Sequence, residues 1–186
     1  MGLDRQKLYD GLVDAYNQGA EVSSEEVAGL IASAIENYAS DAEFMLAPGP
    51  MLIPTTPPVA STSQNAMVTV QTSDLGTVAL KAAILGGFTA GDSLLAAMTA
   101  GIVAYVAASF TSFMGSPVAH TAIGVALMSI PPVLSPTIAI GLAGGEMEAV
   151  ADAQATAIHA AFLATIFTGA GTGLDGGLGA VAGPLI

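Results

Sequence analysis

Residues 93–145 contain no Asp, Glu, Lys or Arg, and His120 is the one side chain there that titrates near neutral pH. Such a stretch is unsuited to exposure, because water would face a large apolar surface. Two segments within it, 93–114 and 117–144, have at least the roughly 20 residues that a helix needs to span a bilayer. The sequence therefore predicts that this middle region is buried, either by protein or by lipid.

The composition of these two segments favours burial by protein. Ala, Gly, Ser and Thr supply much of their length, so the free-energy gain from membrane insertion would be small. No Lys or Arg flanks either segment, and Pro131, Pro132 and Pro136 interrupt the second. Contacts between subunits would provide the cover instead. The alternative is a membrane-embedded protein of the holin or pore type, with a helical hairpin at 93–143.

The charge balance excludes several classes of partner. The net charge is −12, from 15 acidic residues against Arg5, Lys7 and Lys81. Binding of nucleic acid needs Lys and Arg to displace counterions from phosphates, so no nucleic-acid partner is expected. The chain has no Cys, which excludes disulfides, thiolate nucleophiles and Cys-ligated metal sites.

The predicted fold class is mainly α, with small-residue-rich helices, Pro/Gly-rich extended arms and one short β-strand or hairpin. Apolar spacing and capping signals predict helices at 4–18, 23–38, 74–86, 93–113, 118–129 and 146–167. The clearest helix start is Ser23, because Glu26 three residues later completes a capping box. Gly86-Gly87 is expected to end the third helix.

The remaining segments are expected to be extended or irregular. Five prolines within 46–63 exclude a helix there, so this segment is predicted to be an extended arm. Residues 66–72 alternate in polarity and are rich in β-branched side chains, which predicts a strand. The Gly-rich tail at 169–186 is expected to be loop or irregular extended chain. The predicted division of the chain is an N-terminal helical segment, an arm with a strand, an apolar helical core and a tail: 1–45, 46–73, 74–168 and 169–186.

An internal repeat links the two ends of the chain. Residues 25–35 and 148–158 are identical at six of eleven positions, and 92–102 is a weaker third copy. A Phe and a Pro- or Gly-rich stretch follow each copy: the residues are Phe44, Phe113 and Phe167. One interpretation is a repeated unit of a capped helix followed by an extended arm. The other is that Ala-rich amphipathic helices match through composition alone.

No arrangement of side chains points clearly to catalysis. Glu148, Asp152, Thr156 and His159 share roughly one helix face, which could bind a metal or could be a solvated polar face. The chain has no G-x-S-x-G motif, and its Gly169–Gly173 stretch lacks the lysine of a phosphate-binding loop. The sequence therefore predicts no catalytic, cofactor-binding or metal-binding residues and a protein that is not an enzyme.

The N-terminal pattern resembles small virion proteins of tailed phages. It comprises Leu3-Asp4-Arg5 with Leu8, Val27-Ala28, Ala32–Ile35 with Tyr38, and the Pro/Gly-rich arm that follows. The resemblance covers about residues 1–60 and implies a structural component without catalytic residues. It implies a location in a virion assembled in the host cytoplasm. The holin-like alternative would instead place the protein in a membrane.

Together these features predict a non-enzymatic structural subunit of a larger assembly, namely a phage capsid, neck or tail component. Its expected partners are copies of itself and other virion proteins. The experiment that separates this reading from the holin-like alternative is membrane fractionation.

Overall fold

The computed structural model describes residues 3–19, 21–60, 66–70, 74–90, 101–102, 105, 112–114, 119–125, 146–164, 166–172 and 177–184. The helices are α1 (Arg5–Gly19), α2 (Ser24–Ala39), α3 (Asp74–Ala90) and α4 (Met147–Leu163). The strands are β1 (Glu43–Ile53), β2 (Val59–Ala60), β3 (Ala66–Val70), β4 (Ser112–Met114), β5 (Ala119–Val125), β6 (Ile166–Thr172) and β7 (Leu178–Pro184). Gly101, Ile102 and Tyr105 are also helical.

The start of α2 follows directly from its sequence. The Ser23 hydroxyl accepts a hydrogen bond from the backbone N–H of Glu26, and the Glu26 carboxylate accepts one from the backbone N–H of Ser23. These hydrogen bonds satisfy donors that a helix start leaves open. They also hold the pKa of Glu26 below its usual value. The predicted capping box is confirmed.

The helices share one hydrophobic core. α1 packs against α2 and α4, and α2 also packs against α3. The largest fully buried side chains come from every helical part of the chain: Leu8, Leu12, Ile31, Ile35, Tyr38, Leu80, Tyr105 and Phe162. Most of the other buried core residues are Ala, which allows helix backbones to approach closely.

Two glycines lie where helices approach each other closely. A Cβ added at Gly11 would lie 3.0 Å from the Cβ of Ala34, across the α1–α2 contact. A Cβ added at Gly101 would lie 2.7 Å from Leu80 Cδ1 and 3.2 Å from the Cβ of Ala83. The packing at these crossings therefore depends on the absence of a side chain at each glycine.

The strands form one antiparallel sheet in the order β2-β1-β3-β4-β5-β6-β7. An additional pairing joins β1 to β7, with Ala47 opposite Ala182 and Leu52 opposite Leu178. The six strands other than β2 therefore form a closed circuit of pairs. β1 is long enough to pair with β3 through its first residues and with β7 through the rest, with an irregularity between Pro48 and Met51.

The mainly helical class is confirmed, and the seven-stranded sheet is more extensive than one short strand or hairpin. The helix predicted at 118–129 is wrong, because residues 119–125 form β5. Its alternating Thr121, Ile123 and Val125 suit a strand, and a short apolar run does not distinguish the two structures by periodicity. The helix predicted at 93–113 extends too far, because β4 begins at Ser112.

The extended segments are paired strands. The described part of the Pro-rich segment is not helical, as predicted, but residues 46–53 lie in β1 and pair mainly with β7 rather than forming a free arm. The Gly-rich tail predicted as loop or irregular extended chain is also a strand over much of its length, in β6 and β7. Glycine lowers local strand propensity, and pairing on both sides of each strand overrides that preference.

Helix ends differ from expectation in two places. α3 continues through Gly86-Gly87 to Ala90, so the predicted break is wrong. Gly87 is buried, and burial of the flanking Ile84 and Phe88 on the core outweighs the cost of glycine in the helix. α4 ends at Leu163 rather than near Phe167, because Phe167 belongs to β6.

Candidate subunit-contact surface

The structure separates the residues considered for a metal site. Arg5 Nη1 donates to Asp152 Oδ1 at 2.6 Å and to Thr156 Oγ1 at 3.1 Å, which joins α1 to α4. His159 instead bonds to Tyr38 on α2. Within the described ranges, no three His, Asp or Glu side chains are placed to hold a metal ion. Asp152 and His159 are thus used in contacts between helices.

His159 lies at the edge of the core between α2 and α4. Its Nδ1 is 2.7 Å from the Tyr38 hydroxyl, and Tyr38 also meets Phe162 edge to face. Burial lowers the pKa of His159, and the Arg5 guanidinium lowers it further, whereas Asp4 opposes the shift. Burial raises the pKa of Tyr38. Both rings therefore favour their neutral forms, and with the imidazole proton on Nε2 the Tyr38 hydroxyl donates to Nδ1.

Tyr16 and Gln154 form a second polar contact, between α1 and α4. The Tyr16 hydroxyl donates to Gln154 Oε1, and burial raises the pKa of Tyr16 to about 12. Gln154 is fully buried, and its Nε2 has no hydrogen-bond partner. This amide is the buried polar residue of the core, and Tyr16 satisfies one end of it.

All three basic residues of the chain form ion pairs. Besides Arg5 with Asp152, Lys7 lies 2.5 Å from Asp41 and Lys81 lies 3.1 Å from Glu25. These pairs are partly exposed, so each contributes little stability. The ion pairs matter for the surface charge. Because each cation already has an acidic partner, these residues form no basic patch that could bind an anionic ligand.

A cleft of about 510 Å³ lies between α2 and α3. Its walls include Val22, Leu30 and Val78, and Lys81 and Glu26 lie at its polar side. The hydroxyl of Thr77 is buried without a hydrogen-bond partner. The cation at the cleft, Lys81, is already paired with an acidic residue. The described lining residues do not bring together side chains that could act jointly on a substrate.

Charge separates the helices from the sheet. The four helices contain eleven Asp, Glu, Lys and Arg residues. The seven strands contain one such residue, Glu43. Among the described residues, the acidic groups other than Glu43 therefore lie on or next to the helices.

The sheet carries an exposed apolar strip on β1 and β7. Leu52 and Leu178 lie opposite each other in the register, and 51% and 53% of their surfaces are exposed. Along β7 the alternate residues Ala180, Ala182 and Pro184 are also exposed, whereas Gly183 is buried. We call these five exposed residues the apolar strip: Leu52, Leu178, Ala180, Ala182 and Pro184.

Sequence reasoning missed the apolar strip because it treated the Gly-rich tail as loop or irregular extended chain. The available signal was the alternation in Leu178-Gly-Ala-Val-Ala-Gly-Pro184, in which glycines occupy positions between larger residues. Since paired residues on neighbouring antiparallel strands project to the same face, Leu52 and Leu178 form one continuous surface.

No helix in the described part of the chain has the length and apolar character needed to cross a membrane. Comparison of the chain with protein-family models, curated proteins and solved structures finds no match. Function is therefore inferred from the surface and the charges of the molecule itself.

Proposed function

We propose that the protein is a non-catalytic structural subunit that joins a larger assembly through the apolar strip of its sheet. The observation that carries this proposal is the exposure of Leu52 and Leu178, side by side, on an uncharged surface. Exposed apolar surfaces bounded by polar ones are typical of contacts between proteins. Burial of each leucine would contribute on the order of 1–3 kcal/mol.

The charge distribution supports contact through the sheet rather than through the helices. Copies of a chain with a net charge of −12 repel one another, most strongly where the acidic helices approach. Contact through the strands would cause little repulsion, because they carry one formally charged side chain, the carboxylate of Glu43. The small side chains of alanine and proline along β7 also keep this surface flat, which suits packing of one sheet on another.

A phage virion is the assembly that we propose, with copies of this chain and other virion proteins as partners. The support for the virion is the resemblance of residues 1–60 to small tailed-phage structural proteins. The paired state of Arg5, Lys7 and Lys81 agrees with a role that needs no contact to nucleic acid. The polar contacts of His159 and Gln154 serve packing between helices and need no substrate.

Fractionation of cells that produce the full chain tests this proposal. We expect the protein in the detergent-free soluble fraction, in a complex heavier than its 18.3 kDa monomer. Recovery solely from membranes that resist a carbonate wash would contradict the proposal and support the holin-like alternative. A variant with Leu52→Lys and Leu178→Lys should remain soluble and lose the heavy complex.

A further inference from the structure

The secondary structure repeats one order of elements along the chain. α1 and α2 precede the β1–β3 hairpin, and α3 with the helical residues Gly101, Ile102 and Tyr105 precedes the β4–β5 hairpin. α4 precedes the β6–β7 hairpin, and the segment before α4 lies outside the described residues. The short β2 is an addition to the first of these units.

The spacing of the sequence repeat matches the spacing of the elements. The shift that places Glu25 on Glu148 also places Glu43, the first residue of β1, on Ile166, the first residue of β6. In each unit a phenylalanine is the second residue of the first strand: these are Phe44, Phe113 and Phe167. The distance from the repeat to this phenylalanine is the same in the first and last units, whereas Phe113 lies two residues farther along in the middle unit. Similarity through composition alone would not maintain the register that the first and last units share.

Equivalent positions in the three units are also buried alike. Ile35, Ile102 and Ile158 align in the repeat, and each is at most 1% exposed. Tyr38 and Tyr105, three residues beyond the isoleucine in the first two units, are both fully buried. The helix that leads into each hairpin therefore presents the same face to the common core.

The first helices of the first two units match in the same way. Leu8 and Leu12 of α1 are fully buried, as are Leu80 and Ile84 of α3, with the same spacing. In the first unit Gly11 faces Ala34, and in the second unit Ala83 faces Gly101. Each of the two helix crossings thus pairs a glycine with an alanine. The glycine is on the first helix in the first unit and on the second helix in the second unit.

The three units close on themselves through contacts of one type. β3 pairs with β4 at Val70 and Phe113, and β5 pairs with β6 at Val125 and Phe167. β7 pairs with β1 to complete the circuit, and α1 packs on α4 as α3 packs on α2. The contact between the last unit and the first therefore uses the same kinds of element as the contacts between successive units.

We propose that the chain is a single-chain counterpart of a homotrimer, in which three units, each with a helix that leads into a β-hairpin, close into a ring. The contact surface of the last unit, on β7 and α4, is occupied by the first unit of the same chain. The inference goes beyond the proposed function, because the ring leaves no open end for head-to-tail growth. Copies in an assembly must then meet through outer surfaces such as the apolar strip.

A disulfide across the closing junction tests whether the ring closes within one chain. Leu52 and Leu178 are paired across antiparallel strands, where the Cα atoms lie about 4.5–5.5 Å apart, within the range of a disulfide. The chain has no cysteine of its own, so the full-length double variant L52C/L178C forms one defined bond. We expect a covalent monomer on a non-reducing denaturing gel.

In protein oxidised at a dilution where it is monomeric, covalent dimers or ladders would overturn the proposal, and so would the absence of any disulfide. The matched control is A170C/A180C, because those residues pair within the β6–β7 hairpin and must link inside one chain in either arrangement. A wild-type chain that is monomeric, together with an internal disulfide in L52C/L178C, would contradict the proposed function and leave the ring in place. The two failures are therefore distinguishable.

Exchange of the glycine–alanine pair tests the equivalence of the first two units. Gly11→Ala alone places a methyl group 3.0 Å from the Cβ of Ala34 and should lower the Tm. The double variant G11A/A34G recreates the arrangement of Ala83 and Gly101 in the second unit. We expect it to regain at least half of the lost Tm, and a double variant no more stable than G11A would overturn the equivalence.

Discussion

The hydroxyl of Tyr38 lies 2.7 Å from Nδ1 of His159, and this contact ties α2 to α4 at the edge of the hydrophobic core. Tyr38 is fully buried, so its hydroxyl depends on the imidazole for a partner. A neutral imidazole accepts this hydrogen bond, whereas a doubly protonated ring would have no acceptor to offer at Nδ1.

The first prediction concerns the pH dependence of stability. Burial lowers the pKa of His159 in the folded state below the usual value for histidine, so the unfolded chain binds the proton first as the pH falls. The free energy of unfolding should therefore decrease from about pH 7 toward lower pH, until the folded-state pKa is reached. Urea unfolding between pH 7 and pH 5 measures this decrease.

His159→Gln provides the control, because glutamine can accept a hydrogen bond and does not titrate. The variant should show a flatter dependence than the wild type over the same pH range. An equal slope in both proteins would mean that His159 does not contribute.

The second prediction concerns the buried amide of Gln154. Tyr16→Phe leaves Gln154 Oε1 without its donor, and Gln154→Leu leaves the Tyr16 hydroxyl without its acceptor. Each single variant should cost about 1–3 kcal/mol of unfolding free energy. The double variant should cost less than the sum, because both polar groups are removed together. A double-mutant cycle from denaturant unfolding measures this difference, and strict additivity would show that the contact is not formed.

The third prediction concerns the capping box of α2. Ser23→Ala removes the hydroxyl that accepts from the Glu26 N–H and should cost about 1 kcal/mol. Ser33→Ala, at an exposed position within the same helix, should leave stability unchanged or raise it slightly. Thermal unfolding of the two variants side by side checks the difference. Equal effects would place the helix start elsewhere.

The fourth prediction concerns two glycines in different surroundings. Gly86 is exposed within α3, and a Cβ there would meet nothing within 4 Å, so Gly86→Ala should stabilise the protein by about 0.5–1 kcal/mol. Gly101→Ala should instead cost about 1–3 kcal/mol, because the methyl group would crowd Leu80. Differential scanning calorimetry gives both changes. A stabilising Gly101→Ala would contradict the close packing of that helix on α3.

Local signals predicted the N-terminal helices well. The capping box at Ser23 and the apolar spacing after it define α2 without reference to the rest of the chain, and α1 likewise begins within one residue of expectation. These elements depend on hydrogen bonds and side-chain spacing within one or a few helical turns. Such local features can be recognised in the sequence alone.

The sheet depended on contacts that are distant in the sequence. β5 and β7 are rich in alanine and glycine, and their strand conformation depends on pairing with neighbouring strands such as β6. Such pairing is a tertiary effect that local propensity does not contain. The apolar strip was missed for the same reason, since Leu52 and Leu178 become neighbours through the closure between β1 and β7.

The mass of the purified full-length chain in detergent-free buffer tests the central claim most directly. By light scattering after size exclusion, we expect a multimer for the wild type and a marked shift toward the monomer for Leu178→Lys. Val78→Lys, which alters the apolar side chain with the highest exposure on the helices, should leave the multimer intact. A wild-type chain that remains a monomer of 18.3 kDa at high concentration would contradict self-assembly through the apolar strip.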